Sequence, residues 1–352
     1  MKIKLLLTFD HELPLGGLNT SYEKALFEPT YRVLETADKQ GVKVTLFSDI
    51  LCAYKFREWD FNAFYTPFKN QLQYAIDKGH DVQLHIHPHW LTTKYDGKDF
   101  HPSADFSLAC FRQDTRFGGI PGIVKMSVES LREMFDEHYR CIVFRAGGYC
   151  LFPETYTILH ALYDNGIRYD SSMAKGYYFK SDFSEVDFRK LPNEPNWIIN
   201  PQNYHSALSD KSGILEIPIA TIPKTPFEMP TRFKMKKYAC RAVENRGKMI
   251  HQADTTGLVS KLKMLFAARM LTFDNHTLSL DYLLRIVRYN MDKYRNKADE
   301  IMFCVISHPK SMGDYSFALM TDFISSVQKL YPDTEFVTYT QLYRQSEWVS
   351  KK

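Results

Sequence analysis

Short β-rich runs alternate with helix-patterned stretches from one end of this chain to the other, and that rhythm most narrows the folds open to it. Lys2 to Phe9 is a strand-like run ending in acidic and polar residues. Glu28 to Gln40 has helical spacing, with Tyr31, Leu34 and Ala37 on one face and Gly41 as a stop. The pattern then predicts strands over 42–48, 82–85, 141–145 and 166–172, with helices over 67–78, 127–138 and 153–165 between them. Ile214 to Ile219, Ile301 to Ile306 and residues 335–339 are further β-rich runs. Strand then helix, joined by short Gly-containing connections, points to a parallel sheet with crossover helices. Seven or eight repeats in 352 residues predict an α/β fold, a distorted (β/α) barrel of about seven parallel strands. Chemistry in such folds gathers at the C-terminal ends of the strands. Residues 1–352 read as one such barrel domain.

One segment breaks the rhythm. Over about 227–274 the alternation is lost and basic residues accumulate: Arg232, Lys234, Lys236, Lys237, Arg241, Arg246, Lys248, Lys261, Lys263 and Arg269. Only Glu228, Glu244, Asp254 and Asp274 oppose them. Within it VSKLKMLFAARMLTF, 259–273, has the pattern of an amphipathic helix. A helical insertion with a solvated basic face is the plainer reading. Peripheral contact with anionic lipid, or with a lipid-linked or pyrophosphate-bearing substrate, is the sharper one. The net charge of +4 over the whole chain gives no case for nucleic acid. The apolar stretch Leu5 to Leu7 is too short for an export signal or a membrane span. The six cysteines contain no CxxC pair, and reduced, buried thiols are expected. Together these features predict a cytoplasmic protein, with the inner face of the membrane as an alternative site of action.

The chemistry-bearing residues fall at the predicted strand ends. TFDHE puts Asp10, His11 and Glu12 at the end of the first strand. GHDVQLHIHPHW places His80, His85, His87 and His89 on and just behind the third. FRAGGY ends another, with Gly147 and Gly148 allowing close backbone approach, and VISHPK puts His308 just beyond a late one. A lone histidine or aspartate at such a position is usually structural or a helix cap. Several strand mouths charged together need a common reason. Two imidazoles and a carboxylate, with room for water, form a usual catalytic zinc arrangement. A tight turn at Pro88 would bring His85 and His89 to one point. His85, His87 and His89 together are an alternative triple, since alternate strand residues share a face, but Pro88 argues against an extended run there.

The blocks TFDHE, GHDVQLHIHPH, FRAGGY and ISHPK resemble, in order and rough spacing, those of the NodB-homology polysaccharide deacetylases, over about residues 4–310. GH-x4-H-x3-H, here His80, His85 and His89, is the most specific, and YDSS after RAGGY supports it. The resemblance implies a distorted (β/α) barrel that removes N-acetyl groups from sugars with a divalent metal. His85 and His89 would then be metal ligands, Asp10 the general base, Arg145 its orienting partner and His308 the general acid. Tyr149 would line the pocket and offer its backbone N–H to the oxyanion, and Asp170 would be structural.

The first block departs from the family's two adjacent aspartates. Glu12 is assigned the third ligand position and His11 is the competitor, because Asp10 and Glu12 share a face if the strand continues. The departure also leaves open that Asp10 is itself a ligand. The expected activity is deacetylation of the amino sugars of a surface polysaccharide or its biosynthetic intermediate, with zinc, or else cobalt or nickel. Hydrolysis of another C–N amide such as a cyclic ureide, or glycan binding by an inactive barrel, are the alternatives.

Overall fold

The fold described here is a computed structural model covering residues 1–181, 184–209, 212–225, 228, 232–248 and 257–346. Its sheet is built from β1 (Lys2–His11), β2 (Thr45–Asp49), β3 (Asp81–Ile86), β4 (Val143–Ala146) and β5 (Tyr169–Asp170). It continues with β6 (Trp197–Ile199), β7 (Ala207–Leu208), β8 (Leu215–Glu216), β9 (Glu300–Ser307) and β10 (Thr334–Phe336). The strand order is β7-β6-β8-β5-β4-β3-β2-β1-β9, with β10 also paired to β1. From β8 to β9 every neighbour is parallel, and only β6 and β7 join antiparallel. That run contains seven parallel strands, as the alternation predicts. β1 is long enough to share one edge, pairing through Ile3 to Leu5 with β10 and through Thr8 to His11 with β2.

The sheet curls until its ends meet. Ile219 bridges Ala174, just past β5, and Cys304 of β9. The Ala220 N–H donates to the Cys304 carbonyl at 3.0 Å. β2 and β3 are buried along their whole length, as expected of strands covered by side chains inside and helices outside. The outer helices are α1 (Glu28–Lys39), α2 (Ile50–Trp59), α3 (Thr66–Asp77), α4 (Gly119–Arg132) and α5 (Thr155–Asp164). They continue with α6 (Leu280–Tyr294), α7 (Asp314–Leu330) and α8 (Tyr339–Gln345).

Two expected helices are corrected. The helix predicted over 127–138 lies at Gly119–Arg132. Gly118 and Gly119, both at positive φ, launch it, Pro121 sits in its first turn, and Ile120, Ile123, Val124, Ser127, Val128 and Leu131 form its buried stripe. The amphipathic helix predicted over 259–273 stops at Phe266, and Arg269–Met270 instead pairs antiparallel with Thr221–Ile222. Local helical pattern loses there to a strand partner distant in sequence. Phe227, residues 229–231 and residues 249–256 of the basic segment lie outside the described residues. Residues 242–248 are strapped across the strand ends: the Lys248 N–H donates to the Gly17 carbonyl at 2.9 Å, and Arg246 donates to the Pro309, Lys310 and Met312 carbonyls. All six cysteines are free; Cys110 and Cys240 are exposed rather than buried. Among the described residues no helix is long and apolar enough to cross a membrane.

Candidate metal centre

β1 remains a strand through His11, so its side chains alternate up to the site. Asp10 and Glu12 turn towards the end of β3. His11 points the other way, where its Nε2 meets the Gln71 side chain at 2.9 Å and its ring packs on Phe68. Burial pushes the His11 imidazole down to about 4, so it stays neutral.

Glu12, His85 and His87 form a buried group whose ligand atoms all lie within 4.8 Å of one another. Glu12 Oε2 is 3.3 Å from His85 Nε2 and 2.5 Å from His87 Nε2. His89, which sequence reasoning set beside His85, is not in this group. β3 stays extended to Ile86 and His87 is still extended, so His85 and His87 share a face. Pro88 then opens a 3₁₀ turn, Pro88–Leu91, that carries His89 into an apolar pocket between Trp90 and Phe106. Neither ring nitrogen of His89 has a hydrogen-bond partner among the described residues. Burial and the neighbouring His87 hold its pKa well below the ordinary value.

The group suits a cation. His85 Nδ1 must donate to the Arg145 carbonyl at 2.8 Å, since a carbonyl only accepts. That leaves the Nε2 lone pair facing Glu12, in the manner of a ligating histidine whose second nitrogen is fixed from outside. Two imidazole nitrogens and a carboxylate oxygen converge, and acceptors this close need a proton or a metal ion among them. The other Glu12 oxygen is taken by Lys310 at 2.8 Å. Burial opposes the charge of Glu12, but Lys310, His87 and His85 outweigh it and hold its pKa well below the usual carboxylate range.

Around this group stand two further charged pairs. Arg145 is fully buried and donates Nη1 to Asp10 Oδ1 at 2.6 Å. Its fork is fixed by Thr8 and Ser171, and the guanidinium lies 4.1 Å from the centre of the Phe47 ring. Burial works against the Asp10 carboxylate, yet Arg145, His85 and His308 together lower its pKa. His308 Nε2 is 3.5 Å from Asp10 Oδ2, and its Nδ1 lies 2.6 Å from Asp274 Oδ2. Burial opposes protonation of His308, but Asp274, Asp10 and Glu12 raise its pKa to about 9.

The turn after β4 lets these elements approach. A side chain at Gly147 would meet the Ile86 carbonyl at 2.4 Å and the His87 ring at 2.7 Å. Tyr149 carries φ 62, a conformation costly for a bulky residue, and its ring lies edge-on to Tyr177. Asp170 holds the backbone N–H and the hydroxyl of Ser172, each at 2.9 Å, and so shapes the loop whose Ser171 grips Arg145. Burial and Asp170 push its neighbour Glu216 well above its ordinary pKa, and Glu216 Oε1 accepts from the Met173 N–H at 3.1 Å.

Sequence reasoning thus placed Asp10, Glu12, His85, Arg145 and His308 together, and Tyr149 lines a cavity with His308. It set His87 aside and missed Lys310 and Asp274. Lys310 lay inside the quoted ISHPK block. Asp274 had no local signal, being 34 residues from His308.

No family model matches the chain, and no curated protein does. Among solved structures, a protein from Mycobacterium smegmatis described as a polysaccharide deacetylase is 13% identical, over 100% of this chain and 92% of that one, at a TM-score of 0.49. The PuuE allantoinase is 11% identical, over 99% and 91%, also at 0.49. A family 4 carbohydrate esterase from Streptomyces lividans, solved with acetate, is 9% identical, over 95% and 92%, at 0.39. Likenesses this distant assign no residue a role.

Proposed function

We propose that this chain is a metal-dependent hydrolase that removes acetyl groups from N-acetylated amino sugars. The observation that carries the reading is the meeting, at one end of the barrel, of a Glu12–His85–His87 ligand group with an Arg145-held Asp10 and an Asp274-held His308. Glu12, His85 and His87 would hold the ion; the nitrogen and oxygen donors favour zinc, with cobalt or nickel as substitutes. When bound, such an ion lowers the pKa of a water from about 15.7 towards about 7 and polarises an acyl oxygen.

The remaining work falls to the chain. Asp10, kept ionised and aimed by Arg145, takes the proton of the attacking water. The backbone N–H of Tyr149 donates to the developing oxyanion, a contribution of typically about 3 kcal/mol. His308, positively charged while Asp274 accepts from its Nδ1, gives the Nε2 proton to the departing amine. The products are acetate and a free amino sugar.

The test combines metal content with turnover. Purified protein should take up about one equivalent of zinc or cobalt and release acetate from N-acetylated saccharides, with no turnover of cyclic ureides. Uptake with ureide turnover alone would replace the substrate class. A chain that takes up none of the three metals and releases no acetate is not this enzyme.

A further inference from the structure

Beside His308 the strand ends open into a cavity of about 280 Å³. Tyr149, Tyr177, Asp274 and His308 line it, and so do Lys224 and Arg269. The two cations are brought together by the short ribbon in which Ile222 pairs with Arg269. Burial and the charge of Arg269 push the Lys224 ammonium below its ordinary pKa, with Glu228 opposing. The fold therefore holds two like charges in one half-enclosed space.

Neither cation has a carboxylate partner among the described residues. Lys224 Nζ reaches the Met264 carbonyl at 3.4 Å, and Arg269 Nη2 donates to the Glu228 carbonyl at 3.0 Å. Arg269 Nε is buried with no hydrogen-bond partner. The nearby acids are engaged elsewhere: Glu228 with Arg285 and with the Tyr282 hydroxyl, Asp274 with His308. Two cations thus line one cavity with no carboxylate paired to either, and the Arg269 guanidinium is held 5.6 Å from the centre of the Tyr282 ring.

We propose that Lys224 and Arg269 form a phosphate subsite, so that the substrate is an N-acetylated sugar bearing a phosphate or pyrophosphate next to the ring that is deacetylated. The sugar part of this inference rests on the deacetylase reading; the anion part does not. A phosphate ester carries about 1.5 to 2 negative charges at neutral pH, which matches two cations, whereas a carboxylate would balance one. The guanidinium fork also suits two phosphate oxygens.

The test titrates the full chain with inorganic pyrophosphate by calorimetry and repeats it for Lys224→Gln, Arg269→Gln and Arg269→Lys. Metal content, measured in parallel, confirms that the neighbouring centre is intact. Wild type should bind, each glutamine variant should bind about tenfold more weakly or worse, and Arg269→Lys should recover part of the loss. Absence of binding by wild type, or equal affinity in all four proteins, overturns the subsite. So does binding to vesicles containing phosphatidylglycerol without binding to soluble pyrophosphate, which would identify a bilayer surface instead. Pyrophosphate binding through these two residues without acetate release from any N-acetylated sugar keeps the subsite and removes the deacetylase. Deacetylation of neutral and phosphorylated sugars alike, with no pyrophosphate bound, does the reverse.

Discussion

His80 opens the histidine-rich stretch, yet the fold uses it as a lock that acid should open. Its side chain is buried, and its Nδ1 accepts from the Val44 N–H at 3.2 Å, tying the start of β3 to the residue before β2. An imidazolium has no lone pair to accept that bond. Burial, with Lys43 adding to it and Asp38 opposing, takes the His80 pKa from 6.5 down to about 4. The unfolded chain therefore takes up the proton first. The contribution to stability is complete above about pH 6.5 and is lost as pH falls from there towards 4. The full difference is about 3 kcal/mol, of which about 2 kcal/mol is lost by pH 5. Asp38, whose pKa is lowered below 3.8, titrates outside that window. Urea unfolding at pH 8 and pH 5, with chelator present so that metal release does not contribute, measures the effect. His80→Gln keeps a side-chain acceptor and cannot titrate, so its stability should fall by about 2 kcal/mol less than wild type between the two pH values. Parallel losses in the two proteins would refute the reasoning.

The ligand assignment predicts that His87→Ala lowers zinc affinity by more than the roughly 10–100-fold typical of losing an outer-shell partner, read by equilibrium dialysis. His89→Phe should keep both metal and stability, because two buried nitrogens without partners are replaced by a ring of similar shape. Gly147→Ala should cost about 1–3 kcal/mol in urea unfolding, since a Cβ 2.4 Å from the Ile86 carbonyl forces backbone apart. Arg145→Ala should cost about 3–5 kcal/mol by the same assay, because it strands the Asp10 carboxylate in a buried site.

How much of this was written in local pattern can be judged residue by residue. Strand alternation holds wherever one run sees the same environment along its length, so β1, β3 and β9 lie close to where apolar periodicity puts them. The same alternation separates Glu12 from His11. It also pairs His85 with His87, against the expectation that a turn at Pro88 brings His85 and His89 to one point. What decides the matter is that His87 itself stays extended and the turn begins one residue later. The end of the helix at Phe266 was not legible, because the partner of Arg269–Met270 lies at Thr221–Ile222, far outside any local window. Asp274 was hidden for the same reason: its role depends on a residue of another strand end.

The charges at the barrel mouth explain why these distant residues need one another. Asp10, Glu12 and Asp274 bring three carboxylates to the site, against Arg145, Lys310 and a His308 whose pKa stands at about 9. What stays unmet is the approach of Glu12 Oε2 to His85 Nε2 at 3.3 Å and to His87 Nε2 at 2.5 Å, where acceptors this close need a proton or a divalent ion among them. Loading the metal must then displace protons, so its affinity rises with pH. That exchange ties the histidine-rich strand to the acidic end of β1, because neither set of side chains is tolerable in this enclosure without the other.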